Sequence, residues 1–142
     1  MKFSLGEIEK SAQETSRVVV GHYDDEAKTP VGFVVVGTGS KEYAQADRDI
    51  QILNIKEAAM RKTGRLDLTT DKDAAMIADG AEKRRLLQIE GCVVGWFGFT
   101  DLDGETPLEF TRENLNRVLK ARPHWGNLIL VAIEDERNFS KG

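Results

Sequence analysis

The chain has 142 residues, with 20 Lys and Arg against 24 Asp and Glu, a formal net charge of −4 and a single cysteine. A chain of this length buries about two-thirds of its unfolded surface on folding, so 1–142 reads as one domain with a core that needs neither disulfide nor metal. The acidic balance argues against a general nucleic-acid binder, which needs surplus Lys and Arg on one face, and one cysteine with two histidines cannot close a Cys/His zinc site.

The first 38 residues read as the β-rich part. Arg17-Val18-Val19-Val20 and Val31-Gly32-Phe33-Val34-Val35-Val36 are β-branched runs, separated by a polar stretch, His22 to Pro30, that predicts a hairpin with a long acidic loop. Lys2 to Ile8 is compatible with a shorter strand or with an ordered coil laid across the sheet. Met1 to Lys10 has no apolar h-region, and the longest uninterrupted apolar and glycine run is Gly91 to Phe99. Neither a secretory leader nor a membrane span is therefore expected, and the single cysteine fits a reducing compartment.

At Gly37-Thr38-Gly39-Ser40 the period changes from two to about 3.6, and residues 40–138 read as the helical part. Tyr43, Ala46, Ile50, Leu53 and Met60 fall on one stripe of a helix from Ser40 to Thr63. Ser40 is its natural N-cap, Gly64 its left-handed end, and Arg61, Lys62 and Arg65 suit its C-terminal dipole. Leu66 to Thr70 is a linker into a second helix capped by Thr70, with Asp71 and Asp73 in the first turn. Ala74, Ile77, Ala78, Ala81 and Leu86 mark its expected inward side, and it runs to about Ile89 or beyond. The segment Cys92 to Phe99 is too apolar for a surface loop. It is expected to start as a helical continuation and finish extended.

Asp101-Leu102-Asp103-Gly104 is a tight turn by composition. Thr111 caps a short helix to about Ala121 with Leu115, Val118 and Leu119 inward, and Arg122 before Pro123 stops it there. Pro123 then opens a last helix carrying Trp125, Leu128, Ile129 and Ala132. Asn138 to Gly142, including the terminal 139–142, reads as a frayed tail. The expected fold is α+β: a small N-terminal antiparallel hairpin or sheet packed on a bundle of about four helices.

No catalytic or metal constellation stands out, and no cofactor is expected. Gly37-Thr38-Gly39-Ser40-Lys41 follows a strand and opens a helix, but the spacing is not that of a P-loop and the third glycine of a dinucleotide fingerprint is missing. Placing Gly104 at the sixth position of a calcium loop puts Phe99 first and Phe110 twelfth, where carboxylates are required. Cys92, between Gly91 and Val93, reads as a small core residue rather than a thiol nucleophile served by His22 or His124. Asp24-Asp25-Glu26 and Glu134-Asp135-Glu136 read as solvated charge. What remains is apolar surface. Trp96, Phe97 and Phe99, joined by Phe110 and Trp125, either close a core between sheet and helices or line a groove for a partner helix.

In order along the chain stand a Gly-x-Gly-Ser turn followed by Glu42-Tyr43-Ala44-Gln45-Ala46, then Val94-Gly95-Trp96, the Asp103-Gly104 turn, Phe110-Thr111-Arg112-Glu113-Asn114-Leu115, and Pro123 with Trp125. Over roughly residues 31 to 138 this order resembles the tail assembly chaperones of long-tailed, siphovirus-type bacteriophages. The resemblance implies a non-enzymatic late protein of the host cytoplasm that binds the tape measure protein, helps recruit tail tube protein around it, and is absent from the mature virion. It also implies a longer form made by a programmed frameshift near Ser140-Lys141-Gly142. Trp96, Phe97 and Phe99 are the first candidate partner surface, and Tyr43, Ala46, Ile50 and Leu53 the second. Self-association through either is compatible with the same features. The runner-up is a permanent phage tail or neck structural or adaptor subunit, and the third reading is an enzyme that uses Cys92.

Overall fold

The structure, a computed structural model, describes residues 4–6, 14–24, 29–63 and 70–139. The chain runs β1 (Thr15–Asp24), β2 (Thr29–Val36), α1 (Lys41–Lys62), α2 (Asp71–Cys92), β3 (Val93–Phe97), α3 (Arg112–Ala121), α4 (Pro123–Glu134) and a final 3-10 turn, Glu136–Phe139. The strands form one antiparallel sheet in the order β1-β2-β3, so the expected α+β architecture is present. The hairpin strands reach further into the expected acidic loop than the sequence suggested, with His22 opposite Pro30 and Asp24 opposite Thr29. Breaks in register beside Val19 and His22 accommodate the extra residues. Asp25 and Glu26 lie outside the described residues, as do Gly64, Arg65, Leu66 to Thr69 and most of Lys2 to Ile8. Of that last segment, Leu5 and Gly6 are helical rather than extended.

Helix starts follow from local chemistry. The Ser40 hydroxyl accepts from the Tyr43 amide, Thr70 from Asp73 and Thr111 from Asn114, each satisfying one orphan amide of a first turn. Pro123 takes the opening turn of α4, where its missing N–H costs nothing. The helix α1 ends at Thr63, whose amide donates to the Ala59 carbonyl.

The sheet has one covered and one open face. Val18, Phe33, Val35, Val93 and Trp96 point to the helices, with Phe33 opposite Trp96 in the register. Among the described residues, Phe33, Val35, Ile89, Cys92, Leu115, Ile129 and Ile133 are the largest fully buried side chains, each large aliphatic or aromatic one worth roughly 1.5–3 kcal/mol of burial. On the open face Phe97 pairs with Gly32, and the Arg17 guanidinium lies 3.9 Å above the Phe97 ring.

Two sequence expectations, the inward side of α2 and the frayed tail, are corrected by this packing. In α2, Ala74, Ala78 and Ala81 are exposed while Ile77 and Leu86 are half-buried. The line that meets α1 runs instead through Gly80, Arg84 and Gly91, where Gly91 lies so close to Ala46 that a Cβ there would sit 2.9 Å from the alanine methyl. In α4, Leu128 is exposed and Gly126 and Ile133 are buried beside Trp125 and Ile129. Phe139 is not part of a frayed tail: the 3-10 turn seats its ring over Gly37, which has no side chain to obstruct it.

Candidate functional site

An aromatic cluster forms where β3 leaves the sheet. The Trp96 ring lies 4.8 Å from Phe99, 5.2 Å from Phe110 and 6.5 Å from Phe33, and Phe99 lies 6.1 Å from Trp125. Tilted and edge-on pairs at these separations add to plain area burial. The Trp96 indole N–H donates to the Leu108 carbonyl at 2.9 Å. The cluster therefore belongs to the core and also holds the loop that follows β3.

That loop is built by short-range hydrogen bonds. Gly104, at φ 73, closes a turn by donating to the Asp101 carbonyl, and the Asp103 carboxylate accepts from the amides of Glu105 and Thr106 and from the Thr106 hydroxyl. The hydroxyl and these amides hold the Asp103 carboxyl below its ordinary range. Thr100 bridges to Pro107, and the Asn114 side chain donates to the Glu109 carbonyl, tying the loop's end to α3. Gly98, at φ 84, makes the bend out of β3, where a Cβ would sit 2.4 Å from the Pro30 carbonyl oxygen.

Between this loop and α3 lies a groove of about 440 Å³, with Phe99 and Trp125 in its lining beside Val31, Leu108, Val118, Ala121 and Arg122. It abuts a second trough of about 270 Å³ that reaches Leu102, Asp101, Asn114 and Arg117, and the two share Thr100, Leu108, Val118 and Ala121. Leu102 is 95% exposed. The lining is mostly aliphatic and aromatic, with polar and charged groups among it. Such a surface takes up apolar side chains and reads out charge beside them.

The candidate residues part company here. Of Trp96, Phe97 and Phe99, only Phe99 lines the groove; Trp96 stands behind it and Phe97 is on the opposite sheet face. Ala46 is buried against Gly91, and the Tyr43 hydroxyl donates to Glu134, which also accepts from Gln88. Burial and then the Glu134 carboxylate push the Tyr43 phenol up. Ile50 and Leu53 are half-buried on that same side of α1, so the stripe faces inward. Of the motif residues, Ser40, Thr111 and Pro123 start helices, Asp103 and Gly104 form the turn, Asn114 clips it, and Phe110 and Trp125 pack in the cluster.

Leu108, Val118, Ala121 and Arg122 escaped the sequence reading as site residues. Only Val118, at a helical spacing, carried an apolar signal there. Cys92 is fully buried, and burial first, then Glu42 and Glu134, pushes its thiol up to about 12. Among the described residues no group of three His, Cys, Asp or Glu side chains could hold a metal ion, and no helix is long and apolar enough to cross a membrane. No known family profile, curated protein or solved structure matches this chain.

Proposed function

We propose that this chain is a tail assembly chaperone of long-tailed bacteriophages: a non-enzymatic protein that holds apolar helical segments of the tape measure protein soluble in the host cytoplasm while tail tube protein is recruited. The observation that carries this reading is the groove between the 98–108 loop and α3, lined by Phe99, Leu108, Val118, Ala121 and Trp125. A long helical chain with an apolar stripe offers side chains at i, i+3/i+4 and i+7, and an elongated apolar trough takes such a row. Arg117 and Arg122 beside it are placed to meet acidic residues flanking the stripe. The ordered motifs from Gly37 to Trp125 support the same family.

Co-expression with the tape measure protein of the same genome, followed by pull-down, tests it. Soluble tape measure protein is expected to co-purify with the wild type. It should be lost, by at least tenfold, with Leu102→Asp plus Ala121→Glu, both exposed positions. Far-ultraviolet circular dichroism of the double variant should match the wild type. No co-purification with the wild type overturns the reading, and recovery of the chain from purified virions favours a permanent tail or neck subunit instead.

A further inference from the structure

The groove and the trough that continues it have two walls of unlike charge. One wall is α3, which presents Asn114, Arg117, Val118 and Ala121 at the i, i+3, i+4 and i+7 spacing of a single helix face, with Arg122 following at its end. The other is the loop after β3, which contributes Thr100, Asp101 and Leu102. From Gly98 to Leu108 that loop holds Asp101, Asp103 and Glu105 and no Lys or Arg, whereas Arg112 to Arg122 holds Arg112, Arg117, Lys120 and Arg122 against Glu113.

Asp101 and Arg117 line the same trough and both are exposed, yet no ion pair joins them among the described residues. The Asp101 carboxylate instead accepts from the Leu102 amide at 2.7 Å, and the Asp101 amide donates to the Thr106 carbonyl, so the turn rather than α3 holds this residue. Opposite charges therefore stand on the two walls, with the apolar Leu108, Val118 and Ala121 shared by both cavities. Burial of an apolar stripe has no preferred direction along such a groove. Charged flanks do have one, because turning a helix end for end exchanges its flanks and brings like charges together on both walls.

We propose that the groove takes a partner helix whose apolar stripe carries carboxylates along one flank and Lys or Arg along the other, and that these flanks fix the direction in which the helix lies. The acidic flank meets α3 and the basic flank meets the loop after β3. The proposal rests on the groove being a docking site for an apolar helical segment, and adds that the site reads two signs of charge and a direction.

Designed Ala-rich peptides of about 20 residues, long enough to be helical in water, separate these claims. Each carries one Leu stripe, flanked by Glu on one side and Lys on the other, by Glu on both sides or by Lys on both. The peptide with unlike flanks is expected to bind about fivefold more tightly than either of the others, with the gap narrowing as salt is raised. Because the chain carries a net charge of −4, attraction to the whole molecule would favour the peptide with two Lys flanks, so an advantage for unlike flanks reports the two walls. A spin label at the N-terminus of the unlike-flanked peptide should broaden amide signals at one end of the site, beside Asn114 or beside Trp125, and exchanging Glu and Lys between the flanks should move the broadening to the other end. Arg117→Glu, which puts carboxylates on both walls of the trough, should hand the advantage to the peptide with two Lys flanks at unchanged helicity of the protein. Equal binding of the three peptides, or broadening that stays in place when the flanks are exchanged, overturns the proposal and leaves an apolar docking site that ignores charge. Binding of none overturns the docking reading and the proposal with it.

Discussion

At the scale of single residues, neighbours in the sequence serve opposite surfaces. Trp96 and Phe97 are adjacent, yet the alternation of the strand sends the indole into the core and the phenyl to the open face under Arg17. Cys92 shows how burial sets chemistry. Its thiol, pushed up to about 12, stays protonated in the folded protein after an unfolded thiol, near 9.0, has lost its proton. The unfolded chain thus releases a proton first as pH rises through that window, and the folded state loses about 1.4 kcal/mol per unit relative to it. Urea midpoints of wild type and Cys92→Ala should fall in parallel up to about pH 9 and diverge above it, the wild type falling faster. Equal slopes to about pH 11 would show that the thiol titrates alike in both states.

At the scale of elements, the loop after β3 depends on one backbone bend. Gly98 has a positive φ and no room for a Cβ between Pro30 and Val31. Gly98→Ala is expected to cost about 2 kcal/mol or more, from left-handed strain with the clash added, measured by chemical denaturation. Because the bend aims Phe99 into the groove, the variant should also weaken partner binding beyond its effect on stability. The helices α1 and α2 are held differently. Away from the sheet their seam rests on half-buried side chains and on Arg84, which reaches from α2 to Glu57 and Asn54 of α1. An ion pair shielded on both sides gains more than one in open water, but it does not replace apolar burial.

At the scale of the whole molecule, the sheet is a platform with one face packed by helices and one left open, and the antiparallel pair of α1 and α2 extends from it. Phe139 joins the C-terminal end of the chain to this platform by covering Gly37. Phe139→Ala should therefore lower global stability by about 3 kcal/mol, read from the denaturant midpoint, whereas a frayed terminus would leave it unchanged. The groove belongs to this scale as well, since its walls come from β2, the 98–108 loop, α3 and α4.

Much of the architecture was legible in the amino-acid order because it is decided over a few residues. Ser40, Thr70 and Thr111 cap because a hydroxyl reaches an amide three residues on, Pro123 opens a helix because its ring presets φ, and the valine runs extend because branched side chains suit a pleated surface. The aromatic residues near Trp96 were identifiable as a cluster for the same reason. Which of them faces a groove was not, nor that Ala74 and Leu128 stand in solvent while Gly126 and Phe139 are covered. Hydrophobic attraction has no direction of its own, so burial is settled by which surfaces meet. That choice rests on close approaches such as Gly91 to Ala46 and Gly37 to Phe139, which join residues far apart in the chain and exist only in the tertiary structure.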